Sequence, residues 1–375
     1  MTIHPAHKVS FSELAASLRA AEDQRLVTRR LGPDGLELFT YTKHCVYEQA
    51  WTPASIVARG LILDPAARRI VATPFPKFFN LGERDGAAPD LSFEVTEKLD
   101  GSLIIIYHHD GAWRTATKGA FDSSQAVWAL EYLTGIDLSR LAPGTTYLAE
   151  ATYPENRIVV PHTEARLRLL AAYHGDGAEM PFAEIVSAGQ ATGLGSVARR
   201  PFGSLAELMA HTQSLPKHEE GFVLRFADGL RLKVKGAEYR RIHALISGLS
   251  PLAVWEAMAA GGDLTAIRRE LPEEIWGDFD NIVEVLAARK STLVDRIEAE
   301  AASVAHLSDK ELGLSLAALD PETRGFVFEV RKHAPDWIKG RARQKLFERI
   351  RPEANVLPGY KPSFMMSRVQ EESLG

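Results

Sequence analysis

The chain of 375 residues contains a single cysteine, Cys45, which excludes an intramolecular disulfide framework and a cysteine-rich zinc site. One thiol fits a reducing, cytoplasmic setting, and a small buried hydrophobe is the simplest role for it. No stretch of about 18 apolar residues occurs, and no basic segment followed by an apolar run opens the chain, so neither membrane insertion nor secretion is expected. Low-complexity tracts are absent, as are repeats with a period of roughly 20–50 residues, so extended disorder and solenoid architectures are not expected. A basic excess is missing too. The net charge is −5, so attraction to nucleic acid has to come from local patches rather than from the whole-protein field. His108-His109 and His243 lack a ligand spacing such as His-Glu-x-x-His, and zinc chemistry has no positive support.

What is present is an ordinary globular composition, 45% hydrophobic and 25% charged, in a chain long enough for two domains. Ser10 and Glu13 have capping-box spacing, and Leu14, Leu18 and Ala21 follow at helical intervals, which predicts an opening helix. From about residue 36 to 160 the pattern changes to short apolar or alternating runs at 36–41, 60–63, 70–72, 103–107 and 147–150, separated by Gly, Pro and Asp. Helices are expected near Ser124–Leu133 and Phe182–Thr192. Two strands, Gly221–Phe226 and 230–234, flank the turn residues Ala227-Asp228-Gly229. Beyond about Arg241 strand signals vanish, and Ile282, Val285, Leu286, Leu293, Ile297 and Val304 form a near-heptad stripe. The reading is a catalytic α+β domain over 1–243 and an all-helical domain over 244–375, with a polar, loose stretch after Pro358 and a monomeric state.

The most informative segment is Lys98-Leu99-Asp100-Gly101-Ser102, directly before the strand-like 103–107. A lysine amine can attack the α-phosphorus of a nucleoside triphosphate and hold the nucleotide as a phosphoramidate while pyrophosphate leaves. It must first lose its proton: with an ordinary pKa of about 10.4, only on the order of 0.1% is neutral near pH 7.5. Lys233 and Lys235 alternate on a strand and so share a face, where they would depress the pKa of Lys98 and clamp the α-phosphate. Asp100, Glu150 and Glu220 offer the hard oxygen ligands that Mg²⁺ or Mn²⁺ prefers, with water intervening. Each of these residues alone has a bland alternative, since Asp-Gly is a common turn and an isolated carboxylate is more often a cap or a solvated charge.

Taken in order, the motifs resemble those of the covalent nucleotidyltransferases, specifically the phage-type RNA ligase family, in its type-one, tRNA-repair-like branch. Lys98-Leu99-Asp100-Gly101-Ser102 is similar to family motif I, and Leu148-Ala149-Glu150 with Asn156-Arg157-Ile158-Val159 to motif III. Glu220-Gly221-Phe222-Val223 is similar to motif IV, and Leu232-Lys233-Val234-Lys235 to motif V. Ala58-Arg59-Gly60, Pro76-Lys77-Phe78-Phe79-Asn80 and Thr117-Lys118-Gly119 resemble elements of the RNA ligase branch. The resemblance covers about residues 36–243. It implies antiparallel sheets around an ATP cleft, unrelated to the ATP-grasp arrangement. It further implies ATP as AMP donor, Mg²⁺ or Mn²⁺ as cofactor, and RNA ends, nicked tRNA among them, as partners.

By the same resemblance Lys98 is the adenylated nucleophile, assisted by Lys233 and Lys235. Arg59, Lys77, Asp100, Gly101, Ser102, Lys118, Glu150, Glu220 and Gly221 surround ATP or AMP, and Tyr173 occupies the place of an aromatic against the adenine. A strand-end tyrosine of the core is the alternative for Tyr173. The basic run Arg331, Lys332, Lys339, Arg341, Arg343, Lys345, Arg349 and Arg351 reads either as an RNA footprint or as a solvated helical face anchored by Trp337, Leu346 and Phe347. A DNA ligase, a GTP-using capping-type enzyme and a non-catalytic sensor of RNA ends remain the rival functions. The helical segment after motif V, where DNA ligases and capping enzymes carry a β-barrel, suits the RNA branch.

Overall fold

The computed structural model describes residues 2–84, 88–353, 356–363 and 366. The polar stretch expected after Pro358 lies partly outside them. The chain divides into two compact units, the first ending at His243 and the second beginning at Ala244.

The first unit carries three four-stranded sheets. One has the order β1-β2-β3-β4, built from Val27–Leu31, Glu37–Tyr41, Arg59–Asp64 and Arg69–Ala72. A second has the order β10-β9-β7-β8, in which β7 is Ser102–His109, β8 Ala112–Ala116, β9 Thr146–Thr152 and β10 Arg166–Tyr173. The third has the order β5-β12-β11-β6, in which β5 is Phe79–Asn80, β6 Phe93–Lys98, β11 Gly221–Phe226 and β12 Arg231–Lys235. All pairings are antiparallel except the short β5–β12 pair. The α+β class with antiparallel sheets and a helical C-terminal region is therefore as read from the sequence.

Local signals act as expected. Ser10 caps the helix Phe11–Asp23 in a full capping box with Glu13, and Leu14, Leu18 and Ala21 are its buried face. Helices Ser124–Leu133 and Phe182–Thr192 form where the periodicity placed them. The 227–229 turn closes the β11–β12 hairpin, with Gly229 at φ +90°, a conformation a side chain would strain. Cys45 is fully buried and its thiol donates to the Ala50 carbonyl at 3.4 Å. Strand β1 escaped the sequence reading because its Val-Thr-Arg-Arg-Leu run has two arginines and only Val27 buried.

In the second unit the helix Trp276–Ser303 buries Ile282, Leu286, Leu293 and Ile297. Leu293 and Ile297 pack with Phe326, Trp337, Leu346, Phe347 and Ile350. No single helix among the described residues is long and apolar enough to cross a membrane.

Candidate active site

Strand β6 ends at Lys98 and β7 starts at Ser102, so the tripeptide between them carries the chain from the third sheet into the second. That turn is clamped from one side by the loop following β9. Asp100 Oδ2 accepts from the backbone amides of Val159 at 2.8 Å and Val160 at 2.6 Å, and Oδ1 accepts from the Tyr239 hydroxyl at 2.8 Å. His162 Nε2 stands 2.5 Å from the Asp100 carbonyl oxygen. Ser102 Oγ donates to Asn156 Oδ1 at 2.9 Å, while Asn156 Nδ2 donates to the Ala151 carbonyl at 2.8 Å. A Cβ on Gly101 would lie 2.3 Å from the Ala151 carbonyl oxygen, so only glycine lets the turn close.

These contacts correct the reading of Asp100 as a metal and nucleotide ligand. The carboxylate is 3% exposed and both its oxygens are engaged in holding the turn. Its chemistry is positional. Tyr239, which no motif flagged, completes the clamp, and Lys235 Nζ lies 4.9 Å from its ring centroid.

The lysines converge on one carboxylate. Gly221 pairs with Lys98 of β6 on one side and Lys235 of β12 on the other, with φ +145° and no room for a side chain against the Val234 carbonyl. The preceding residue, Glu220, reaches both: Lys98 Nζ at 2.7 Å and Lys235 Nζ at 3.1 Å. Glu220 is 2% exposed. Burial alone would raise its pKa, but Lys98 and Lys235 overcome that and hold it below the ordinary value. In this state its oxygens are given to lysines rather than to a metal. The expectation that Lys233 and Lys235 depress the pKa of Lys98 is modified accordingly, because a carboxylate stands between Lys98 and Lys235. Lys233, on the same strand, is pushed down to about 7 by burial and then by Lys98, Lys77, Lys235 and Arg59.

A second group of cations gathers on Tyr41, the last residue of β2. Lys77 Nζ lies 5.2 Å and Lys118 Nζ 5.6 Å from its ring centroid. Lys77 is 8% exposed, caged also by Trp51 and Phe79, and its pKa is lowered by burial, with Arg59 and Lys118 adding to the effect. Burial would raise the Tyr41 phenol, yet Lys118, Arg59 and Lys77 together bring it below its ordinary value. Arg59 lies over the Phe78 ring, and its Nη1 is buried with no hydrogen-bond partner among the described residues. Tyr41 was missed because the alternation at 36–41 marks it only as a strand residue.

Both groups open into one cleft of about 790 Å³, within the ~300–1,000 Å³ common for small-ligand sites. Lys98, Lys233, Lys235, Arg59, Lys77 and Lys118 line it, as do Gly101, Ser102 and the half-buried Glu150. Leu170, Ala171, Met180 and Val223 give it an apolar part suited to a flat base. With Arg30, Lys43, Arg225 and Arg231 also in its lining, the cleft combines many cations with an apolar wall, an arrangement suited to a nucleoside polyphosphate.

Comparison with known proteins agrees with that description: residues 57–239 match the RNA ligase family model typified by the phage type. That segment, just under half of the chain, is similar to the RNA ligases of this family. The putative bifunctional polynucleotide kinase/RNA ligase of Autographa californica nuclear polyhedrosis virus is 27% identical over 51% of the chain and 31% of its own length. The RNA ligase of Rhodothermus phage RM378 is 22% identical over 44% and 46% respectively. The chain thus spans about a third to half the length of these curated relatives. Among solved structures, an archaeal ATP-dependent RNA ligase has the same fold with TM-score 0.50 and 17% identity, over 75% of this chain and 83% of that one.

The structure corrects the expectation for Tyr173 and details the C-terminal basic cluster. Tyr173 is 3% exposed and packs edge-on against His4 at 5.3 Å and Phe75 at 6.3 Å, outside the cleft lining. It is a core residue, and its hydroxyl is pushed up to about 12 by burial. In the C-terminal basic cluster, Arg331 donates to the Ala305 and Leu307 carbonyls and Arg343 to those of Met258 and Ala259. Arg343 thereby meets carbonyls in the last turn of the helix Pro251–Ala260, the favourable place for a cation, and Arg331 meets those of the turn that follows Ser303. Lys339 pairs with Asp336 at 3.2 Å. Lys332, Lys339, Arg341, Lys345, Arg349 and Arg351 are exposed, so most of the cluster faces solvent, which both readings of it require.

Proposed function

We propose that this chain is an ATP-dependent RNA ligase that works through AMP carried on Lys98 and serves RNA repair, nicked tRNA being one fitting substrate. The observation that carries the reading is the position of the Lys98 amine, 2.7 Å from Glu220, in a cleft also lined by Arg59, Lys77, Lys118, Lys233 and Lys235. Neutral Lys98 Nζ attacks the α-phosphorus, the bond to the bridging oxygen breaks, pyrophosphate leaves and the amine gives up a proton. An RNA 5′-phosphate oxygen then attacks the same phosphorus, the P–N bond breaks and Lys98 regains a proton. Finally a 3′-hydroxyl attacks the activated 5′-phosphorus, losing its proton as AMP departs. Lys233 and Lys235 neutralise charge as it develops on the phosphates, and Arg59, Lys77 and Lys118 hold the outer phosphates. Among the three carboxylates expected to serve a metal, Glu150 is the one that lines the cleft. It fits a Mg²⁺ or Mn²⁺ that keeps several waters, and such an ion supplies charge neutralisation on the phosphoryl oxygens.

The test is incubation of nucleotide-stripped protein with α-labelled ATP or GTP and a divalent cation. Label that survives denaturation and maps by mass spectrometry to residue 98 is expected from ATP. Label from GTP alone points to capping-type chemistry. No label from either sinks the reading in favour of a nucleotide or RNA-end sensor. Joining of 5′-phosphorylated RNA compared with DNA then decides the polymer.

Lys233 gives a separate prediction. With its pKa near 7 it is largely neutral at pH 8, and a polyphosphate placed beside it favours the ammonium. Binding of α,β-methylene ATP, which cannot transfer AMP, is expected to take up close to one proton at pH 8 and almost none at pH 6. Titration calorimetry in buffers of different ionisation enthalpy measures this. Lys233→Arg, always charged, should abolish the uptake.

A further inference from the structure

Strand β10 carries an arginine that the nucleotide chemistry does not use. In the second sheet Leu103, Glu150 and Arg168 stand opposite one another across β7, β9 and β10, so their side chains share a face. Leu103 and Glu150 line the cleft, as do Leu170 and Ala171 further along β10. Arg168 is therefore the next residue outward on the cleft-facing row, and Arg166, exposed, follows it.

Arg168 makes no hydrogen bond or ion pair among the described residues, and its Nε is closed off from solvent without a partner. A half-buried guanidinium with five donors unmet by protein leaves a desolvation penalty that a bound anion would relieve. The carboxylates that face it are Glu97, already paired with Arg200, and Glu150. The other neighbours are Arg166, whose partner is Glu164, and His162, whose pKa is lowered by burial and by Arg168 and Arg157 beside it. His162 and Arg157 belong to the loop that clamps the Asp100 turn, two residues from the nucleophile. Of the guanidinium groups around this loop, Arg200 and Arg166 have carboxylate partners, and Arg168 has none among the described residues.

We infer that Arg168 is the docking residue for the 5′-terminal phosphate of the incoming RNA strand, with Arg166 and His162 extending the site along the strand's backbone. This rests on the ligase reading: the 5′-phosphate is the group that must come within bonding distance of AMP on Lys98, and a guanidinium fork matches a terminal phosphate's oxygens.

Two measurements on the full chain separate this site from the nucleotide site. In the first, fluorescence anisotropy compares a short 5′-phosphorylated oligoribonucleotide with its 5′-hydroxyl counterpart, without ATP. Wild type should bind the phosphorylated strand on the order of tenfold more tightly. Arg168→Gln should erase that preference and lower the slope of log Kd against log salt by about 0.7, and Arg168→Lys should restore part of the preference. In the second, AMP transfer from charged protein to the RNA should fall about tenfold more than labelling by ATP does. A preference that survives in a folded Arg168→Gln protein, or its absence in wild type, overturns the inference. Equal loss of labelling and transfer also overturns it, because Arg168 would then act on the nucleotide step through Glu150. Failure of wild type to label at all defeats the ligase reading, while the anisotropy result still decides whether Arg168 binds a terminal phosphate.

Discussion

Lys98→Arg is expected to leave no detectable AMP on the protein while the fold and its melting temperature stay close to those of wild type. Arginine keeps a positive charge within reach of Glu220, so the buried carboxylate that Lys98 and Lys235 share in the native protein retains two partners. What it removes is the possibility of a neutral nitrogen. A guanidinium with a pKa above about 12 is charged at any working pH, whereas an ordinary lysine is neutral for on the order of 0.1% of the time near pH 7.5. The expected loss is at least a thousandfold, measured by α-labelled ATP on denatured protein. Lys98→Ala should lose the label as well, but it also strips Glu220 of its nearer counter-ion, so a stability loss accompanies it. A labelled Lys98→Arg protein would mean that the nucleophile lies elsewhere. The comparison of the two variants therefore separates chemistry from scaffolding at one position.

Part of the cleft's polar lining was legible because its chemistry is tied to short, ordered segments, whereas Arg30, Tyr41, Arg225 and Arg231 carry no such signal. Lys98, Glu150, Lys233 and Lys235 each sit at a strand position whose alternation fixes the face, and pattern alone places such side chains together. What pattern does not carry is which partner a charged group meets after folding. Asp100 and Glu220 read as metal ligands because carboxylates beside a phosphate site usually are. In the folded chain Asp100 faces two backbone amides and a tyrosine hydroxyl, and Glu220 faces two ammonium groups. The contacts of Asp100 and the Lys98–Glu220 pair join residues about 60 to 140 positions apart, beyond the range of any local signal. Tyr173 shows the same limit: the apolar run before it is equally compatible with a cleft wall and a core strand, and burial against His4 and Phe75 decided it. Tyr41, Tyr239 and Arg168 stand in segments whose strand or helix pattern is ordinary, and only the tertiary register gives them partners or a position beside the cleft.

Glu220→Gln should produce the largest change in stability. The amide keeps the shape of the side chain but leaves Lys98 and Lys235, both about one-fifth exposed, facing each other without the carboxylate between them. Removing one member of a buried ion pair costs roughly 3–5 kcal/mol, and for a unit of this size that corresponds to a fall in Tm on the order of 10 °C. Differential scanning calorimetry checks it. The pH dependence has a definite sign: the folded-state pKa of Glu220 lies below its unfolded value of 4.5, so its contribution is fully present above about pH 4.5 and is lost as pH falls through the folded value. The gap between wild type and Glu220→Gln should therefore stay constant from pH 7 to 5 and close below that. Catalysis should respond in the opposite sense along the pH axis. Without the carboxylate that favours its ammonium form, Lys98 loses its proton at lower pH, and the rise of labelling with pH moves toward acid even as the maximum rate drops. Adding Lys235→Met to Glu220→Gln removes one of the two facing charges and should recover part of the stability, a positive coupling that a double-mutant cycle reads directly. Equal melting temperatures for the single and double variants would show that the carboxylate's worth lies in its hydrogen bonding to Lys98 alone, with Lys235 a spectator held in place by the β11–β12 register.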